Sequence, residues 1–184
     1  MLKMRNLFLP GLIVAALAFT ALATDASAGD HKVAPGLKTK TLDGKTFDLA
    51  KYRGKVVVIN FWATWCPPCV KEIPDFIELQ KKYKKDGLVF AGVSVDQKPD
   101  PVKDFVKTNK VNYLMMMSND KIWDRFQKLV SEKKRNSVPV TFIVDRKGKI
   151  RGKHVGAVDR KTLEKELLPL LKEKAPTESA TSGI

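Results

Sequence analysis

The chain has 184 residues, with 34 lysines and arginines against 20 aspartates and glutamates, a formal net charge of +14, and only two cysteines. Less a leader, that length holds one domain with a core large enough to fold without covalent staples, which excludes a disulfide-scaffolded miniprotein. The lysines are spread along the whole chain, a pattern of dispersed surface charge that argues against nucleic-acid binding.

Residues 1–28 have the pattern of a secretory signal peptide. Lys3 and Arg5 precede an almost wholly apolar run at 7–23, and Ala26-Ser27-Ala28 offers small residues for cleavage before Gly29. A retained membrane anchor is the alternative. The run holds 17 residues with Pro10 inside it, short for a span of roughly 20 residues, so cleavage after Ala28 is expected, leaving a charge of +13 once Lys3, Arg5 and Asp25 are gone. Export would place the mature chain in the bacterial periplasm or at the outer face of the cytoplasmic membrane, an oxidising setting. Residues 29–35 read as a linker. Residues 37–48 hold two short alternating segments around Asp43-Gly44, the signature of a β-hairpin.

Residues 56–61, Val-Val-Val-Ile-Asn-Phe, are apolar on both faces and read as a buried strand. It runs into Trp65-Cys66-Pro67-Pro68-Cys69, which holds both cysteines. The run at 70–84 has helical spacing in Val70, Ile73, Phe76 and Ile77, and Pro74 is expected to kink it. A helix beginning at the motif puts Cys66 at its N-terminus. There, unpaired backbone N–H groups and the positive end of the helix dipole favour a thiolate. Cys69 falls about one turn further on, within reach of a disulfide with Cys66. A nucleophilic thiol with a second thiol to resolve its mixed disulfide is what thiol–disulfide exchange requires. A structural staple is the weaker reading, because so short a loop removes little chain entropy. Pro67 and Pro68 stiffen the loop and take two N–H donors from the sulfur, opposing the helix dipole in its effect on the Cys66 thiol.

Residues 88–95 form a second buried strand, 101–108 a helix with Val102, Phe105 and Val106 on one face, and 113–117 a short strand. Met115-Met116-Met117 hints at copper, but successive strand residues face opposite ways, so packing is the better reading. Ile122, Trp123, Phe126 and Val130 give 121–130 a helical period, and Lys133-Lys134-Arg135 is a local basic run placed to border a site formed near Ser137-Val138-Pro139. Residues 138–144 are a third strong strand, Asp145 to Gly148 a turn into 149–155, 162–172 an amphipathic C-terminal helix, and 174–184 a disordered tail. Alternating strands and helices that end in a hairpin specify an α/β sandwich with a mixed sheet. His31 and His154 have no ligand partner in the pattern, so no metal site is expected.

The segment from Phe61 to Cys69, Pro74, the Val138-Pro139-Val140-Thr141-Phe142 run and the hairpin after Asp145 together resemble the thioredoxin superfamily, over roughly residues 34–173. The leader, the N-terminal hairpin and the helix-and-strand material between the strands near Leu88 and Val138 resemble most the exported TlpA/ResA/CcmG group. The resemblance implies a thioredoxin-like α/β/α sandwich over residues 36–173, with a central mixed sheet, an N-terminal β-hairpin and a central helix/strand insertion. It implies a monomeric thiol–disulfide oxidoreductase with no cofactor beyond the redox-active Cys66–Cys69 pair. Its partners would be protein disulfides, apocytochrome c among them, and a DsbD/CcdA-like membrane thiol donor. It also implies a cis peptide bond at Pro139, which would set Val138 against the disulfide and open its backbone to an extended substrate segment. Trp65, Pro67 and Pro68 would form the rest of the substrate surface, with Trp65 an apolar shield beside the sulfur.

Where many thioredoxins carry a buried aspartate, this chain has Asn60, a neutral amide that cannot take a thiol proton. Glu72 shares the helix face of Cys69 at i, i+3, and the resembling ResA-type proteins carry a functional glutamate there. The competing reading is a solvated glutamate beside Lys71. Three other functions compete with this reading. The same chemistry run as an oxidase or isomerase stays open, because direction depends on the potential. A CxxC metallochaperone for a soft ion such as Cu(I) would not need the surrounding proline and strand pattern. A peroxidase of the related peroxiredoxin group would place Pro and Thr where this chain has Ile59 and Ala63.

Overall fold

The computed structural model describes residues 31–176. The segments expected as leader, at 1–28, and most of the tail, at 177–184, lie outside the described residues.

A five-stranded sheet organises the fold, in the spatial order β5-β4-β3-β6-β7. Its strands are β3 (Val56–Trp62), β4 (Leu88–Ser94), β5 (Leu114–Met117), β6 (Val140–Val144) and β7 (Ile150–Val155). β3, β4 and β5 run parallel, while β6 is antiparallel to both β3 and β7. The sheet is mixed because β3–β4 and β4–β5 are joined by helical crossovers, whereas β6 and β7 are joined by a tight turn at Asp145–Gly148. A separate hairpin, β1 (Lys38–Lys40) with β2 (Thr46–Asp48), turns at Gly44, whose φ of 84° suits glycine. This is the mixed α/β sandwich expected from the sequence, hairpin included.

Every residue of β3 is buried, as its two-sided apolar run requires. Val57, Ile59 and Phe61 point to one side, where they meet helix α3 (Asp120–Gln127) through Ile122 and Phe126, and the hairpin through Leu37, Phe47 and Leu49. Val56 and Val58 point to the other, against α1 (Pro67–Tyr83) and α4 (Arg160–Lys172). Further along that face, Trp62 and Met115 pack with the start of α1 and with α2 (Pro99–Thr108). Met115 and Met116 fall in different core clusters, so the methionine run is packing on both faces of β5.

Several boundaries differ from the sequence reading for local reasons. α2 begins at Pro99, because prolines are accommodated in a first turn. α3 stops at Gln127, and Leu129 and Val130 close a tighter turn through bonds to Phe126 and Gln127. Pro169 sits inside α4, an interior proline that the amphipathic period alone did not flag. The stretch expected as linker is already tied down at residues 32–34: Ile150 N–H donates to the Lys32 carbonyl at 2.9 Å and Ala34 N–H to the Gly148 carbonyl at 3.0 Å.

Candidate active site

The site lies at the carboxyl end of β3, where the chain leaves the sheet and enters α1. Asp96, just beyond β4, shapes this exit. Its carboxylate accepts from Thr64 N–H at 3.0 Å, from Thr64 Oγ1 at 2.6 Å and from Ser94 Oγ at 2.6 Å. Three donors on one half-buried carboxylate fix the turn that delivers Trp65 and Cys66.

Cys66 is the N-cap of α1, with extended φ and ψ of −103° and 101°. Its sulfur is bonded to that of Cys69, S–S 2.11 Å and Cα–Cα 5.3 Å. Pro67 and Pro68 occupy the first turn, where their missing N–H groups leave no helical bond unmade. Cys69 N–H is the first-turn donor aimed at the Cys66 sulfur, at 3.4 Å. The Cys66 sulfur also lies 3.7 Å from the Val138 carbonyl oxygen, and the Val138–Pro139 peptide bond is cis. The sequence segments at 66–69 and 138–139, 72 residues apart in their closest contact, therefore meet.

Cys66 retains 5% of its exposure and Cys69 none. Trp65, by contrast, is 66% exposed, and Pro67 and Pro68 are exposed beside it. Trp65 borders a cleft of about 390 Å³ with Val95, Lys98 and Pro101. The outer sulfur thus sits in a surface of exposed apolar rings, while the inner one is sealed in the protein. Trp62 has a different place: it is fully buried, its ring 5.0 Å from that of Phe105. A second cleft, of about 440 Å³, opens among Lys55, Lys84, Asn112 and Tyr113, and neither cysteine lines it.

Glu72 is 3% exposed, so the solvated alternative does not hold. Its two oxygens are both engaged. Oε1 accepts from Asn60 Nδ2 at 2.8 Å, and Oε2 accepts from Val158 N–H at 3.2 Å. Asn60 Nδ2 also donates to Thr141 Oγ1 at 3.0 Å. Burial pushes the Glu72 carboxyl up to about 7, against the opposing pull of the Val158 and Asn60 donors. Near neutrality the group therefore exchanges a proton readily, one helical turn from Cys69.

Sequence reasoning missed Asp96, Thr141 and Val158. Asp96 had a signal, since polar residues just past the carboxyl ends of parallel strands are where α/β sites collect. Val158 contributes a backbone N–H, which no side-chain pattern reveals. Among the described residues no group of three or more His, Cys, Asp or Glu is arranged to hold a metal ion, and His154 instead faces Glu166 at 3.0 Å.

The sequence profile of the AhpC/TSA family matches residues 31–153. The thiol-disulfide oxidoreductase ResA of Bacillus anthracis is 32% identical over 133 residues, 72% of this chain and 73% of that protein. The thioredoxin-like protein YneN of Bacillus subtilis (strain 168) is 34% identical over 137 residues, covering 73% and 76%. A crystal structure of a thioredoxin-family thiol:disulfide interchange protein from Chlorobium tepidum TLS superposes with a TM-score of 0.72 at 31% identity, covering 79% of this chain and 99% of that one. Sequence, fold and the paired sulfurs agree: the chain belongs to the AhpC/TSA family, as a thioredoxin-like thiol–disulfide oxidoreductase of the ResA kind.

Proposed function

We propose that the protein is an exported reductase of protein disulfides. The observation that carries this reading is the asymmetry of the pair: Cys66 opens onto an exposed apolar surface, while fully buried Cys69 shares a helix face with an acid poised near neutrality.

In the reduced protein the Cys66 thiolate attacks one sulfur of a substrate disulfide. A Cys66–substrate bond forms, the substrate S–S bond breaks, and the first substrate sulfur leaves as a thiolate that takes a proton. Cys69 then attacks the Cys66 sulfur, giving its proton to Glu72. The mixed disulfide breaks, the second substrate sulfur leaves as a thiolate that takes up the proton held on Glu72, and the protein holds the Cys66–Cys69 disulfide. Two electrons and two protons have passed to the substrate, and a membrane thiol donor of the DsbD/CcdA type restores the dithiol. No other cofactor enters.

The substrate binds as an extended segment along the backbone at Val138 and Pro139, packed against Trp65, Pro67 and Pro68. Main-chain pairing of this kind gives affinity with little sequence preference. Apocytochrome c before haem attachment is the proposed substrate, supported by the resemblance to the exported TlpA/ResA/CcmG group and by relatives named ResA. The leader-like sequence at 1–28 supports export.

Equilibration of the Cys66/Cys69 couple against a thiol buffer tests the direction of flow. A reductase has a potential near or below thioredoxin's roughly −270 mV. A value towards roughly −120 mV belongs to a disulfide donor and would overturn the reductase reading in favour of an oxidase.

A further inference from the structure

The basic run at Lys133-Lys134-Arg135 has no part in the chemistry above, yet the fold brings it to the mouth of the site. The Lys134 carbonyl accepts from Ser137 Oγ at 2.6 Å. Ser137 precedes Val138, whose own carbonyl oxygen is 3.7 Å from the Cys66 sulfur. The charges therefore sit on the segment that leads directly into the proposed substrate-pairing residues Val138 and Pro139, just before β6.

This segment is held in place. Asn136 adopts a left-handed φ of 59°, and its N–H donates to Gln127 Oε1 at 2.8 Å. Its side-chain oxygen accepts from Trp123 Nε1 at 3.3 Å. The Trp123 ring in turn packs 5.5 Å from Phe61 at the end of β3. The cations are thus anchored to α3 and the core. From β7, Lys153 adds a further charge, its Nζ donating to the Leu129 carbonyl at 2.6 Å. Glu132 is the acid within the run, and it pairs with Arg135 at 3.6 Å, which leaves the excess positive. Residues 131–137 are all exposed.

A fixed cluster of like charge at the rim of a binding strand acts on association more than on chemistry. It concentrates partners of opposite charge and orients them before contact, over about a Debye length of 8–10 Å. We infer that the loop at 131–137, continuous with the Val138–Pro139 segment before β6 and joined by Lys153, docks an acidic segment flanking the disulfide of the protein substrate. Backbone pairing at Val138 holds any extended chain, and the basic loop selects among such chains by charge. This inference rests on the reductase reading.

The test uses the full chain and two synthetic peptides, each carrying one intramolecular disulfide, flanked in one by aspartates and in the other by lysines. Uncharged hydroxyethyl disulfide serves as the reference substrate for the wild-type protein. At low ionic strength the acidic peptide is expected to have kcat/KM about tenfold above the basic one, with the ratio falling towards one as salt shortens the Debye length. In K133E/K134E/R135E the ratio inverts, and in K133Q/K134Q/R135Q it approaches one, with thermal melting confirming that both variants are folded. A wild-type ratio near one, or a ratio that survives charge reversal, overturns the inference. Equal peptide rates together with charge-dependent binding to phosphatidylglycerol vesicles would overturn it too, assigning the loop to a lipid surface. Failure to turn over any of the disulfides, hydroxyethyl disulfide included, contradicts the reductase reading and removes this inference with it.

Discussion

In the proposed mechanism the proton of Cys69 passes to Glu72 on the helix, and Asn60 on the strand serves as a hydrogen-bond donor to that carboxylate, at 2.8 Å. Ionised Glu72 is served at both oxygens, yet its burial outweighs this and pushes the carboxyl up to about 7. Two measurable consequences follow from that balance. Resolution of a mixed disulfide should accelerate with an inflection near pH 7 in the wild type, and Glu72→Gln should slow it about 10²-fold or more and abolish the inflection. Stopped-flow release of product thiol over pH 5–9 reads both. An unchanged profile would return Glu72 to a structural role.

The same balance bears on stability, and here the sign is set by the raised pKa. Below about pH 4.5 the carboxyl is protonated both folded and unfolded, so it contributes no pH dependence. Between there and about 7 the unfolded chain ionises first, and stability falls as pH rises, by about 3 kcal/mol in all. Glu72→Gln should remove that part of the slope. The introduced amide remains satisfiable if the Asn60 side chain turns over, offering Oδ1 to the new Nε2–H while Val158 N–H keeps an oxygen. Urea midpoints of the oxidised protein at pH 4.5 and pH 8 give the comparison, and parallel slopes in the two proteins would contradict it.

At the scale of elements, the row Asn60–Gly92–Met115 runs across three parallel strands directly below the active-site helix. Glycine is needed in its middle because a Cβ there would overlap Met115 Sδ and lie 3.2 Å from Trp62 Nε1. Both side chains are buried, Met115 at 4% exposure, so the thioether has little room to yield. Gly92→Ala should therefore destabilise by about 1–3 kcal/mol, measured as a lowered urea midpoint. An unchanged midpoint would mean that Met115 swings clear without loss.

Strong periods made most elements legible beforehand. β3 and β6 read as buried strands because both of their faces are apolar, and α1 read as a helix from the spacing of Val70, Ile73, Phe76 and Ile77, with Cys66 at its N-terminus. Helix ends were less legible. α3 yields to a tight turn after Gln127 although Val130 keeps the helical phase, since Val130 N–H finds its partner at Gln127 rather than in another full turn. Pro169 is tolerated in α4 although its effect on a helix was counted only for Pro74.

Over the whole molecule, the two halves of the site come from the first and fourth strands of the sheet in chain order, and their meeting depends on β6 lying antiparallel beside β3. Spacing within 66–69 was enough to single out Cys66 and Cys69 from sequence, whereas Glu72, which by spacing alone reads as a solvated helix residue beside Lys71, was singled out by the resemblance. The approach of Val138 rested on resemblance, and the support from Asp96 and Val158 emerged only once strand ends and loops had coordinates. Backbone donors and long-range neighbours leave no periodic trace, which is why the site's scaffolding was less legible than its reacting groups.

The division of labour between the two sulfurs is tested most directly by trapping. Cys69→Ser and Cys66→Ser, each reduced and then mixed with an excess of a disulfide-bonded peptide, are analysed as intact proteins by mass spectrometry. Cys69→Ser should gain one covalently linked peptide on Cys66 within seconds, and Cys66→Ser should gain none on that timescale, because its remaining thiol is fully buried. An adduct that forms on Cys69 as readily as on Cys66, or on neither, would contradict the assignment of Cys66 as the attacking sulfur.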